Sequence, residues 1–357
     1  MPIVDGDAVD VAALAHARGK PPEAQAVIRS EPADFFVDED CDIALAGSGE
    51  HLWCHVEKIN LTTQDAVQAL SRATGVHPRQ IGFAGMKDRA AVTRQWISLA
   101  WPIASPLPAL DAIEGVTLLD ARRHERKLKR GAHRRNRFVL RLRALRGDRD
   151  VIEQDLARIR DIGVPNYFGA QRFGRDGRNL ALSRALFAGK RLSRNRRGFA
   201  LSAARSLLFN AVLDARVRDH TWNQLVEGEA VMLDGSHSLF ALEGTQQSAT
   251  ELAQRLAAFD IHPSGPLPGR DGDPIVSSRA LELESGVLEA FSELVSGLEQ
   301  AGVDAARRAL RLPVTDLAWQ FEGDDQLRLS FSLPKGAFAT SMLRELATTR
   351  EPGDAGR

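Results

Sequence analysis

The sequence predicts an α+β fold, a mixed and mainly antiparallel sheet with flanking helices, in a discontinuous domain interrupted by an insertion. Three observations predict it. Apolar and polar residues alternate at period two in segments before residue 145, as they do in half-buried strands. The pattern turns helical over much of 176–310, and period-two alternation returns after Pro313. Strands at both ends of a helix-rich centre point to one domain split in sequence, which is possible because the ends of an inserted domain often lie close together.

Residues 51–57, HLWCHVE, alternate and form the first clear strand. Thr62-Thr63-Gln64-Asp65 is a helix start, a hydroxyl with an acid three residues on. Val67, Leu70 and Ala73 continue it at helical spacing, and Gly75 can close it in a left-handed cap. Ile81 to Met86 and Val92 to Leu99 read as strands flanking the tight segment Lys87-Asp88-Arg89. In 137–144, Phe138, Leu140 and Leu142 point one way and Arg137, Arg141 and Arg143 the other. Val151, Ile152, Leu156, Ile159 and Ile162 predict a helix from about 150 to 162, stopped by Gly163 and Pro165. The central segment contains helices over 202–217 and 279–300, with Pro/Gly-rich loops at 263–274. Strands at 317–321 and 326–333 flank the turn Gly323-Asp324-Asp325, a short helix spans 337–347, and the tail 351–357 reads as frayed.

Across 357 residues, 47 Lys+Arg balance 47 Asp+Glu. A zero total argues against a uniformly basic nucleic-acid binder, but it hides a distribution. Residues 122–146 hold 12 Lys/Arg and one acid, Glu125, for a local net of +11; the other 332 residues carry −11. A second basic stretch, 172–205, is opposed only by Asp176. Two such runs interleaved with Phe168, Phe173 and Phe199 suit a phosphate-contacting surface, with a solvated charged face as the alternative. No apolar run is long enough for a membrane-spanning helix, and the N-terminal residues lack the apolar core of a signal peptide. Cys41 and Cys54 are too few for a disulfide framework and read as reduced thiols of a cytoplasmic protein. The nine histidines show no metal-ligand spacing, and dinucleotide and nucleoside-triphosphate loops are missing, so no metal and no cofactor are expected.

The segment Gly82-Phe83-Ala84-Gly85-Met86-Lys87-Asp88-Arg89 carries most chemical information. Two glycines lead to an acid between two cations, and cations close to Asp88 would favour its ionised form. Such a carboxylate in a turn can serve as nucleophile or base, or can simply make a local salt bridge. Asn136 and Phe138 stand where the basic block becomes a strand; there an amide and a ring can reach a phosphate-binding surface, although the alternation of Phe138 with Leu140 and Leu142 equally suits a core position.

The run from Gly82 to Trp96, GFAGMKDRAAVTRQW, resembles the signature of the TruD family of tRNA pseudouridine synthases. Four further elements resemble that family in the same order: Pro32-Ala33-Asp34-Phe35-Phe36-Val37-Asp38-Glu39, the Asn136-Arg137-Phe138 element, Val164 to Gly174, and Gly336 to Ser341. Together they cover about 32–346. The resemblance implies a pseudouridine synthase-like catalytic domain of residues 1–162 and 309–357, with a TRUD domain inserted at 163–308. It implies isomerisation of uridine, usually at position 13, to pseudouridine in tRNA, by a monomer needing no cofactor and no protein partner.

The same resemblance makes Asp88 the essential carboxylate, acting at ribose C1′, at uracil C6 or on a sugar proton. Phe35, Asn136 and Phe338 would contact the target nucleotide, with Phe138 close by. Lys87 would keep Asp88 anionic and contact the RNA backbone. Met86 stands where relatives carry an amide or another residue. The target base must leave its stack to expose the bond that breaks, so aromatic faces should replace the lost stacking. Tyr167 is the only tyrosine and falls in the insertion, so a phenylalanine would have to pack on the base. The RNA is expected in a cleft between the two domains lined by 122–146 and 172–205. A non-catalytic RNA-binding protein on the same scaffold and an Asp-dependent nucleic-acid glycosidase are the competing functions.

Overall fold

In the computed structural model, residues 4–5, 8–41, 46–270 and 275–353 are described. Residues 271–274 of the expected loop and 354–357 of the tail lie outside them. The chain divides into two compact units. One comprises Met1–Pro22, Glu153–Pro313 and Thr340–Leu346; the other comprises Glu23–Ile152, Val314–Ala339 and Ala347–Arg357. This division differs from 163–308 in four segments, one of them the short stretch 309–313. The N-terminal stretch, most of helix Arg149–Ile162 and most of helix Ala339–Arg344 fall with the central unit. Leu14 is buried among Tyr167, Leu207 and Leu208, Asp214 accepts from the Ala15 amide at 2.6 Å, and Glu345 accepts from the Ala17 amide at 2.8 Å. Such contacts between residues far apart in sequence leave no local pattern.

The discontinuous unit is built on a ten-stranded sheet. Its main path runs Thr315–Glu322, Gln326–Pro334, Arg135–Arg146, Phe35–Asp40, Val92–Ala100, His51–Ile59, Val116–His124. Phe35–Asp40 pairs in parallel with Val92–Ala100, and Thr348–Arg350 in parallel with Gln25–Val27; the other pairings are antiparallel. The α+β class with a mixed, mainly antiparallel sheet therefore holds. Paired residues share a face, so Lys58, Thr93, Val37, Phe138 and Phe331 stand on one side.

Helix Thr63–Thr74 follows the sequence closely. Thr62 and Asp65 make a reciprocal capping box, and Gly75 closes the helix at φ 73°. Its Ala66, Val67 and Leu70 pack against Leu52, Cys54, Val56, Ile97 and Leu99 of the sheet. In Arg135–Arg146, Phe138, Leu140 and Leu142 are buried as the alternation predicts. Ala144, at φ 47°, then breaks the period, so that Leu145 is the next buried residue. The expected strand from Ile81 to Met86 shortens to Gly82–Phe83, because the chain leaves the sheet to form the turn around Asp88.

The central unit holds helices Arg178–Phe187, Arg194–Arg218, Ser278–Leu288 and Ser292–Gln300. It also holds a four-stranded antiparallel sheet ordered Leu239–Ala241, Ala230–Leu233, Ile261–Leu267, Ala306–Ala309. The loop expected from residue 263 is thus corrected through Leu267: Ile261–Leu267 is an interior strand. Pro263 and Pro266 argue locally against a strand, since proline cannot donate to the ladder. Here the Pro263 carbonyl accepts from the Leu310 amide at 2.9 Å, and both prolines sit in register with their partners. Among the described residues no helix is long and apolar enough to cross a membrane.

Candidate active site

Asp88 sits on the turn ahead of strand Val92–Ala100, with its side chain 70 % exposed. The turn is held from below. The Thr63 hydroxyl donates to Gln95 Oε1 at 2.9 Å, Gln95 Nε2 donates to the Gly85 carbonyl at 3.3 Å, and the Lys87 amide donates to Thr63 Oγ1 at 2.8 Å. Helix Thr63–Thr74 and strand Val92–Ala100 therefore fix the backbone on which Asp88 stands. Trp96 stacks on His55, at 4.9 Å between centroids, on the opposite face of the sheet.

The sequence placed two cations beside Asp88, and both turn elsewhere. Lys87 is buried and donates to Glu39 Oε2 at 2.5 Å and to Asn136 Oδ1 at 2.8 Å. Arg89 donates to Asp65 at 2.8 Å. The Lys87 ammonium, expected at the RNA backbone, is engaged with an internal carboxylate. The cation on Asp88 is Arg29, which donates to its Oδ2 at 2.8 Å and to Glu351 at 2.7 Å. Arg29 adopts φ 58°, and its guanidinium carbon lies 4.2 Å from the centroid of the Phe35 ring.

Phe35 is consequently no open stacking platform. It is buried, with Arg29 over its ring and Phe138 at 6.3 Å edge-on; Phe138 in turn stacks on Phe331 at 5.2 Å. The three rings form a floor that carries Arg29 to Asp88. Phe36, on the other face, lies beneath Arg94 at 5.0 Å. Asn136 is buried beside Lys87, whereas Phe338 is 42 % exposed, four residues past strand Gln326–Pro334. That strand pairs Leu333 with Asn136.

Beneath the turn lies Lys58, fully buried on strand His51–Ile59. Its ammonium donates to the Leu61 carbonyl and, at 3.3 Å, to the Asp88 carbonyl. Burial pushes its pKa down to about 8, with the Lys87 charge adding to the effect and Asp88 and Asp65 opposing it. His133 is buried against Glu39, 4.0 Å from its carboxylate; burial lowers the imidazole pKa, Glu39 opposes and Lys87 adds to the lowering. Gly85 has no room for a side chain, since a Cβ there would stand 2.5 Å from Glu39 Oε2 and 2.6 Å from Lys87 Nζ.

The family model described as tRNA pseudouridine synthase D (TruD) matches residues 19–190 and 183–346. The chain is a member of the TruD family. It is 47% identical over 323 residues to tRNA pseudouridine synthase D of Methylococcus capsulatus, covering 89% of this chain and 90% of that protein. It is 46% identical to the Nitrosococcus oceani protein of the same name, covering 93% of each. A solved structure assigned as tRNA pseudouridine synthase D from Methanosarcina mazei shares the fold, with a TM-score of 0.70, 20% identity and coverage of 90% of this chain and 93% of that one.

Within this TruD chain the basic block 122–146 divides. Arg137 and Arg141 project from the face opposite Asn136, Phe138 and Lys58, and so away from the Asp88 side of the sheet. Arg141 pairs with Glu322 at 2.9 Å and Arg143 with Asp34 at 2.8 Å. The expectation that the whole block lines a groove with Asp88 is corrected for this strand, whose charge is largely neutralised internally. The loop half keeps exposed Arg126, Lys129 and Arg130, the last lying over Phe83 at 3.8 Å. Among the described residues no His/Cys/Asp/Glu cluster could hold a metal ion. Sequence reasoning missed Arg29 and Lys58. The available signals were a basic residue three positions before Pro32 and a lysine at a core position of an alternating strand.

Proposed function

We propose that the protein isomerises uridine to pseudouridine in tRNA, at position 13, with Asp88 as the essential carboxylate. The observation that carries this reading is Asp88 itself, exposed on a braced turn, with one carboxylate oxygen held by Arg29 and the other free to face a substrate. The family membership supports the coarser activity. In the reaction the N1–C1′ bond breaks, the uracil turns, C5 joins C1′, the C5 proton leaves to solvent and N1 takes up a proton. No electrons are exchanged and no cofactor is consumed. A carboxylate oriented by Arg29 suits attack at C1′, attack at C6 or removal of a sugar proton.

The other residues take roles in line with their positions. Phe338, the exposed ring, stacks on the uracil once it leaves the RNA stack. Phe35 and Phe138 act from below by supporting Arg29. Asn136 spends its carbonyl on Lys87, which leaves its NH₂ group to donate to the nucleotide. Lys87 orders the site with Glu39 and Asn136. In this reading the protein is a cytoplasmic monomer, the middle of the chain is the inserted TRUD domain, and tRNA contacts basic residues of both units. Mapping pseudouridine by mass spectrometry in tRNA from cells with and without the protein tests it. Loss of the modification at position 13 alone is expected; unchanged tRNA would overturn the reading.

A further inference from the structure

The central unit contains a pocket of about 400 Å³ against helix Arg194–Arg218, lined among others by Phe168, Arg172, Gly198, Ser202, Arg205 and Ser206. Two of its walls are guanidinium groups. Arg172 donates to the Ser202 hydroxyl at 3.1 Å and lies 5.1 Å from the Phe168 ring centroid. Arg205 donates to the carbonyls of Leu267 and Asp304 at 3.0 and 3.1 Å. A third guanidinium, Arg308, lies 4.3 Å from the same Phe168 ring and donates to Asn166.

Among the described residues none of the three forms an ion pair with a carboxylate; their recorded acceptors are neutral oxygens. The buried Nε atoms of Arg205 and Arg308 have no hydrogen-bond partner among the described residues. Three cations drawn partly out of water, with Asp304 near Arg205 but itself paired with Arg270 at 2.9 Å, are costly unless an anion completes the site. Burial lowers the pKa of Arg172 and, with the Asp304 charge opposing, that of Arg205, and burial followed by the charge of Arg172 brings Arg308 down to about 10. A phosphate fits the deficit, because guanidinium forks and serine hydroxyls match its oxygens.

We infer that this pocket is an anion subsite that takes one phosphodiester of the bound RNA, paired by Arg172 and Arg205 with Arg308 behind them. The identity of that RNA as tRNA rests on the proposed isomerisation; the subsite rests on the pocket.

The test measures the affinity of the full-length protein for an unmodified tRNA transcript across a potassium chloride series. Each phosphate contact contributes about 0.7–0.9 to the slope of log affinity against log salt. The double variant Arg172→Gln/Arg205→Gln should lower that slope by about one and weaken binding roughly tenfold at moderate salt. Gly198→Glu provides the second variant. A Cβ at this helical position meets nothing within 4 Å, so it adds a carboxylate at the pocket without removing packing, and it should weaken binding similarly. An unchanged slope and affinity in Gly198→Glu and in a folded double variant would overturn the subsite; if the double variant does not fold, Gly198→Glu decides. Pseudouridine formation by the wild type is followed in parallel. Slope loss without product would sink the proposed reaction and keep the subsite, product without slope loss would do the reverse, and a wild type that does not bind tRNA would overturn both.

Discussion

The guanidinium of Arg29 donates to Asp88 Oδ2 at 2.8 Å, joining residues 59 positions apart, while the cations on either side of Asp88 in sequence are engaged elsewhere. This contact orients the carboxylate on its turn.

Removing that cation should slow the reaction more than it weakens RNA binding. A charge-assisted hydrogen bond contributes about 1.5–3 kcal/mol, so Arg29→Ala should lower single-turnover conversion by roughly 10- to 100-fold. Arg29→Lys keeps the charge but loses the planar stack on Phe35 and should fall between the two. Equal single-turnover rates for wild type and Arg29→Ala would remove Arg29 from the account.

The two candidate phenylalanines should separate cleanly. Phe138→Ala empties a buried position between Phe35 and Phe331 and should cost about 3–5 kcal/mol of stability in urea denaturation. Phe338→Ala removes an exposed ring, so stability should shift by less than about 0.5 kcal/mol while turnover falls. A reversed order would move the stacking role to Phe138.

Two glycine substitutions should have opposite signs. Gly85→Ala would press a methyl group against Glu39 and Lys87, costing about 1–3 kcal/mol and displacing the Asp88 turn. Gly286→Ala, in helix Ser278–Leu288 with open space around its Cβ, should stabilise by about 0.5–1 kcal/mol. Thermal melts and conversion rates check both.

Lys58 predicts a pH dependence. Its folded pKa of about 8 lies below the ordinary 10.5, so between those values the unfolded chain binds more protons than the folded one. Stability contributed by this group therefore rises as pH increases from about 8 to 10.5, and the cost of burying its charge is fully present below 8. Wild type compared with Lys58→Met by urea denaturation at pH 7.5 and pH 10 isolates the effect. The wild type should gain on the variant at the higher pH, and a constant difference would contradict the depressed pKa.

Locally encoded features were legible in the sequence. The helix after Thr62 carries its own cap at each end, and the Asn136 strand alternates up to Ala144, where one left-handed residue reset the period. Arg29 was not legible, because its contact with Asp88 is long-range and Lys87 and Arg89 offered nearer cations. The direction of Lys87 depended on Glu39, a buried acid from another strand. Strand Ile261–Leu267 was hidden by its prolines, whose fit depends on neighbouring strands. In the basic block, charge was visible but sidedness was not: Arg137 and Arg141 alternate with core residues and so face away from the turn.

The most direct test of the central claim is tritium release from tRNA labelled at uracil C5, with wild type and Asp88→Ala compared at matched tRNA occupancy. Wild type should release tritium in proportion to pseudouridine formed, and Asp88→Ala should bind the tRNA and release none. Release by the Asp88→Ala protein at a rate near that of wild type would contradict the account.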